Sequence, residues 1–132
     1  MMNIFSIANK LDVSWHPEIA TVLESWTDFN VELEEFRKAV FVKGINHARG
    51  SQAKAWIFDP SKASGEFSEE ILGMIAQDRF PALGWTGVKY FITIHPEATE
   101  ILVNPDTSMT RGVQRVDAPS VESAMAFIKE NP

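Results

Sequence analysis

The sequence predicts a single α/β domain over residues 1–132, built on a mixed, mainly parallel sheet of four to six strands with an antiparallel N-terminal edge and crossover helices. Three observations lead there. Short runs of β-branched and aromatic residues alternate with segments whose apolar residues recur at helical spacing, the order that yields parallel strands joined through helices. Two or three strand-like runs stand together before the first such helix, and the first two are separated only by a turn, so they pair antiparallel. With 45% hydrophobic and 23% charged residues, nine Phe and four Trp, the chain has enough apolar surface for one core and too much for a disordered linker.

Residues 4 to 8 and 11 to 15 are the first two runs, and Asn9-Lys10 between them suits a hairpin turn. Residues 19 to 26 read as a third strand, with Ile19, Thr21, Leu23 and Ser25 alternating against Ala20, Val22, Glu24 and Trp26. From Asn30 the period changes. Leu33, Phe36, Val40, Phe41, Gly44, Ile45 and Ala48 form one helical stripe. Asn30 is its expected cap, Glu32, Glu34 and Glu35 sit where the helix dipole favours negative charge, and Gly50 is its stop.

Ala53 to Phe58, with Trp56, Ile57 and Phe58 in succession, reads as a strand covered on both faces and therefore central. It ends at Asp59-Pro60, and residues 61 to 65 leave the sheet as a turn-rich loop. Ser68 caps a second helix, with Phe67 expected to staple onto Leu72 and with Ile71, Leu72, Ile75 and Ala76 expected to face inward. Pro81 has no amide hydrogen and is expected to break or kink that helix, with a further turn reaching Leu83 before Gly84. Residues 88 to 94 alternate as a strand and close at His95-Pro96, whereas residues 97 to 111, with the Asn104-Pro105-Asp106 turn, fit no single element. Val113 to Val116 is a last strand, and Ser120 caps a last helix in which Val121, Ala124, Met125 and Ile128 share a face.

The formal charge of -6 sets up a field that repels phosphate backbones and anionic lipid, so nucleic acid is not an expected partner. No stretch approaches the roughly 20 apolar residues of a spanning helix, so membrane insertion is not expected either. There is no Cys, which removes disulfides, thiolate metal sites and cysteine nucleophiles. The first residues, Met1 to Ser6, lack the basic-then-apolar design of a secretory signal, and a cytoplasmic location is the expectation. His16, His47 and His95 are too scattered for a common zinc motif, so no metal and no other cofactor is expected. Phosphate-binding loops, dinucleotide fingerprints and nucleophile elbows are absent from the sequence.

The element order, with Glu35-Phe36-Arg37 opening the first helix, Trp56-Ile57-Phe58-Asp59 as central strand, Phe80-Pro81-Ala82 in the second helical stretch and Lys89 to Pro96 as the next strand, resembles the STAS, or anti-sigma-factor-antagonist-like, fold. The chain also resembles a loosely related group of small bacterial domains of the same layout, and the resemblance covers roughly residues 19 to 132. In phosphorylated members a serine stands at a helix start about nine residues past the aspartate that ends the central strand. Ser68 stands nine past Asp59, so the resemblance implies a regulatory phosphoacceptor there. Where that family has an Asp-Ser-Ser-Gly type sequence this chain has Glu66-Phe67-Ser68-Glu69-Glu70, whose carboxylates repel a phosphate that helix amides would attract.

Asp59 and His95 each fall at the C-terminal end of an expected parallel strand, outside which ligand crevices of open α/β sheets lie. With Ser61, Ser64 and Ser68 they are the candidates for a small polar ligand or regulatory site. Each also has a structural role open to it: Asp59 tying its loop, Ser68 capping its helix and His95 ending its strand. Trp85, between Gly84 and Thr86-Gly87, is the candidate exposed aromatic. No residue is assigned as catalytic. The first expected function is a non-enzymatic regulatory module that binds another protein and can form a homodimer through its early edge strand. The second is a carrier of a small apolar ligand or lipid, motivated by the Phe and Trp content and by the distant likeness of the STAS fold to lipid-binding domains. The third is a small enzyme with Asp59 and His95 as acid and base.

Overall fold

The computed structural model describes residues 1–132. Its strands are β1 (Met2–Ile7), β2 (Leu11–His16), β3 (Thr21–Trp26), β4 (Ala55–Asp59), β5 (Tyr90–Ile94), β6 (Leu102–Asn104) and β7 (Gln114–Ala118). They form one seven-stranded sheet in the order β1-β2-β3-β4-β5-β7-β6. β3, β4, β5 and β7 pair in parallel, β1 and β2 extend one edge antiparallel, and β6 closes the other edge antiparallel to β7. The mixed, largely parallel sheet with an antiparallel N-terminal edge matches the expectation, and β4 lies at its centre. The strand count exceeds the four to six expected because β6 arises inside residues 97 to 111, where three residues take their extended form from pairing with β7 rather than from a local pattern.

Residues 33 to 50 are helical throughout: α1 (Leu33–Phe36) runs into a π-helical stretch (Arg37–Gly44) and then α2 (Ile45–Gly50). α3 is Glu69–Thr86 and α4 is Val121–Glu130. No helix is long and apolar enough to cross a membrane. Strand alternation gives the sheet two faces. On one, Val13, Trp15, Val22, Trp26 and Trp56 pack under the helices with Phe36, Val40, Ile45, Ile71 and Leu83. On the other, Ala55, Ile57, Tyr90, Ile92, Ile94 and Val116 pack with Ala124 and Ile128 of α4. Gly44 lets the π-helical stretch lie directly on the sheet, since a Cβ there would stand 2.8 Å from the Trp56 indole.

Several local expectations are corrected. The third strand begins at Thr21, because Pro17–Ile19 form a 3-10 turn closed by Ala20 in the left-handed region. Glu32, not Asn30, caps α1, in a reciprocal box with Glu35; the Asn30 amide donates to Asp28 Oδ1 at 2.8 Å instead. Phe67 does not staple onto Leu72, which is 52% exposed; its ring packs against Trp26, Phe29 and Phe36, a larger aromatic surface than one leucine offers. Leu72 and Ala76 thus face outward, and the buried stripe of α3 is Ile71, Arg79, Leu83 and Thr86. Pro81 does not break α3, which continues to Thr86 and ends at left-handed Gly87. Pro81 is exposed, and the carbonyl it deprives of a partner belongs to exposed Gln77, where water can donate to it.

Candidate functional site

The five polar residues expected to ring one pocket are dispersed. Asp59 ends β4 nearly buried, and its Oδ1 accepts from the Ser61 amide at 2.9 Å, tying the loop as an Asx turn. Asp59 and Ser61 line a hollow with Lys62, Ser120 and Glu122 that takes in Ile94 and Pro96 but not His95. Strand alternation explains the separation: Asp59 follows Ala55 and Ile57 on the α4 face, whereas His95 continues the Phe91 and Thr93 series on the opposite face. The His95 ring has its own partners, Asp117 Oδ1 at 3.0 Å and Glu97 Oε1 at 3.4 Å. Ser64 serves the backbone, donating from its amide to the Thr27 carbonyl and accepting from the Phe29 amide.

Ser68 caps α3, its Oγ accepting from the Ile71 amide at 3.2 Å. It borders a separate hollow with Lys10, Glu32, Glu35 and Glu66, a carboxylate-rich surrounding. Trp85 is exposed as expected, but it sits in the last turn of α3 rather than in a loop, with the Arg49 guanidinium 4.0 Å from its ring centroid. That stacking gives the exposed ring a local partner.

The most unusual chemistry in the molecule lies elsewhere. Glu24, in the middle of β3, is fully buried on the helix-covered face. Its Oε2 accepts from Trp26 Nε1 at 2.6 Å, and its Oε1 accepts from Trp56 Nε1 at 2.9 Å and from Arg79 Nη1 at 2.7 Å. Arg79 Nη2 reaches Oε2 at 3.4 Å, and Arg79 is itself only 3% exposed. A buried carboxylate therefore holds two indoles and one guanidinium, so β3, β4 and α3 are fixed to one another by directional bonds.

Arg79 also lines a cleft of about 280 Å³ between α3 and the sheet, walled by Phe58, Ile75, Phe80 and Phe91, with Thr93 as the other polar member. The guanidinium lies 5.5 Å from the Phe58 ring and 5.2 Å from the Phe91 ring, so it backs onto both aromatic walls. The Arg79 Nε is buried and has no acceptor in the chain. No group of histidines and carboxylates with the geometry to hold a metal ion occurs.

Sequence reasoning missed this site, although two signals pointed to it. Glu24 stands in the alternating series with Val22 and Trp26, so it must turn inward with them. Arg79 stands at successive spacings of four from Ile71 and Ile75, on the inward stripe of α3. Opposite charges at two inward positions indicate a buried pair, because neither charge is stable there alone. Fold and site together define an α/β domain with a mixed sheet, a buried carboxylate–guanidinium cluster and an adjoining apolar cleft. Compared with known proteins, the chain matches no family model, no curated protein and no solved structure.

Proposed function

We propose that this chain is a non-enzymatic binding domain, STAS-like in layout, that takes up a small and mainly apolar molecule in the cleft beside Arg79. The cleft is the observation that carries the reading: aromatic and aliphatic walls with two polar side chains, Arg79 and Thr93, are the lining that small-molecule sites use. Its rigid backing supports the same reading, since the Glu24 bonds hold Arg79 and the Trp56-bearing strand in place before any ligand arrives. The other hollows around the predicted polar residues are rimmed by charged and hydroxyl groups.

A second reading, docking of another protein, is favoured by the β6 edge, where Leu102 and Val103 are exposed and Met109 in the following loop is 86% exposed. Thermal-shift screening with small neutral aromatic compounds, run beside native mass spectrometry of gently purified protein, tests the first reading. Ala76→Phe supplies the control, because Ala76 is exposed on α3 yet lines the cleft, so a larger side chain there obstructs it at little cost to the core. Wild type should be stabilised by members of the panel and the variant should not. Stabilisation of neither protein, or of both alike, removes the cleft reading and favours the β6 edge.

A further inference from the structure

The cleft also indicates what kind of molecule fits it, and this step rests on the reading of the cleft as a ligand site. We infer that the ligand is planar and uncharged, apolar over most of its surface, and carries one acceptor oxygen that meets Nε of Arg79.

Planarity follows from the walls. Phe58 and Phe91 lie nearly parallel, 16° apart with centroids at 6.4 Å, and Phe80 meets Phe91 edge-on at 5.5 Å and 77°. Such surfaces favour the face or edge of another flat ring over a branched aliphatic body. The acceptor follows from Arg79. Nη1 and Nη2 are directed at Glu24, whereas Nε is buried without an acceptor, an arrangement that costs free energy until an acceptor is supplied. The Nη2 contact, at 3.4 Å, is longer than a strong bond, so Nη1 is the firmer tether to Glu24, and the unpartnered Nε belongs to the one charged side chain that lines the cleft.

Neutrality follows from the charge count around the guanidinium. Glu24 already balances Arg79 inside the core, so an anionic ligand would place a second negative charge beside the first where solvent screening is weak. A carbonyl, ether or hydroxyl oxygen satisfies Nε without that repulsion.

The test is a titration of the 15N-labelled chain with three probes of similar size: acetophenone, with a neutral acceptor; ethylbenzene, with none; and benzoate, an anion. Acetophenone should bind about tenfold more tightly than ethylbenzene and more tightly than benzoate, and should move the Arg79 Nε–Hε resonance. All three should lose binding in Ala76→Phe. Equal affinity for acetophenone and ethylbenzene, still lost in Ala76→Phe, would overturn the acceptor assignment while preserving the cleft as an apolar site. Tightest binding by benzoate would overturn the neutrality argument. If no probe binds wild type better than Ala76→Phe, both this inference and the ligand reading fall.

Discussion

The two faces of the sheet bury similar strands by different means. On the α4 face the packing is almost wholly aliphatic: Ile57, Ile92, Ile94 and Val116 meet Ala124 and Ile128, and one ten-residue helix suffices to cover them. The opposite face carries Trp15, Trp26 and Trp56 with Phe36, a buried ion pair, a π-helical stretch and a cleft. Aliphatic side chains interdigitate without regard to direction, so the α4 face closes by shape alone. The aromatic face is positioned by hydrogen bonds that must be met at set angles, and it leaves space beside α3 that close packing does not fill. Specific placement and an open cleft therefore occur together on one side of the sheet.

Removing Glu24 should break that arrangement most severely. Glu24→Ala leaves two indole N–H groups and a guanidinium without their acceptor and should cost about 3–5 kcal/mol in urea unfolding. The double variant Glu24→Leu/Arg79→Met should recover most of that loss, since it removes the stranded charge along with its partner. Ile92→Ala, on the other face, should cost about 3 kcal/mol through lost contact and a residual cavity. No second deletion should restore it, because no polar partner is left stranded there. Equal recovery on both faces would show that the ion pair acts only as filler, and the contrast between the faces would disappear.

The helix caps give a smaller and more even effect. Ser68 Oγ accepts from the Ile71 amide and Ser120 Oγ from the Ser123 amide, at 3.2 and 3.1 Å, one on each side of the sheet. Ser68→Ala and Ser120→Ala should each lower stability by about 1 kcal/mol, read from the shift in urea midpoint at constant slope. A much larger loss for Ser68→Ala would mean that Ser68 does more than cap, and would restore interest in it as a regulatory position.

These caps were legible in the sequence, as were the hairpin at Asn9-Lys10 and the central position of Trp56-Ile57-Phe58, because each rests on a local signal. β6 was not, since Leu102 to Asn104 become a strand only through β7. The course of α3 through Pro81 was hidden for a related reason: the tertiary packing of Arg79 and Leu83 outweighs the local penalty of an imino acid. Among the candidate site residues, the exposure of Trp85 was foreseen and the grouping of Asp59 with His95 was not sound. Strand parity, counted from Ile57 to Asp59 and from Ile92 to His95, is enough to put the two on opposite faces of the sheet. Glu24 and Arg79 were each visible, but their meeting joins residues 55 positions apart and depends on the pairing of β3 with β4 beneath α3.

The smallest expected effect distinguishes the faces by titration. His47, on α2, stands edge-on to Trp15 with ring centroids 5.0 Å apart, and burial lowers its pKa from the ordinary 6.5. The unfolded chain therefore takes up a proton at this residue before the folded chain does. In that window the unfolded state binds more protons, so stability falls as pH drops from above 6.5 toward the lowered folded value and levels off below it. Melting temperatures at about pH 7.5 and about pH 5.5 should show a decrease in wild type that is smaller in His47→Gln. The apolar cluster under α4 contains no histidine, so the part of the decrease removed by His47→Gln belongs to the aromatic face. An identical decrease in the variant would place the mild-acid sensitivity at groups other than His47 and show that the packing against Trp15 tolerates a charged imidazole.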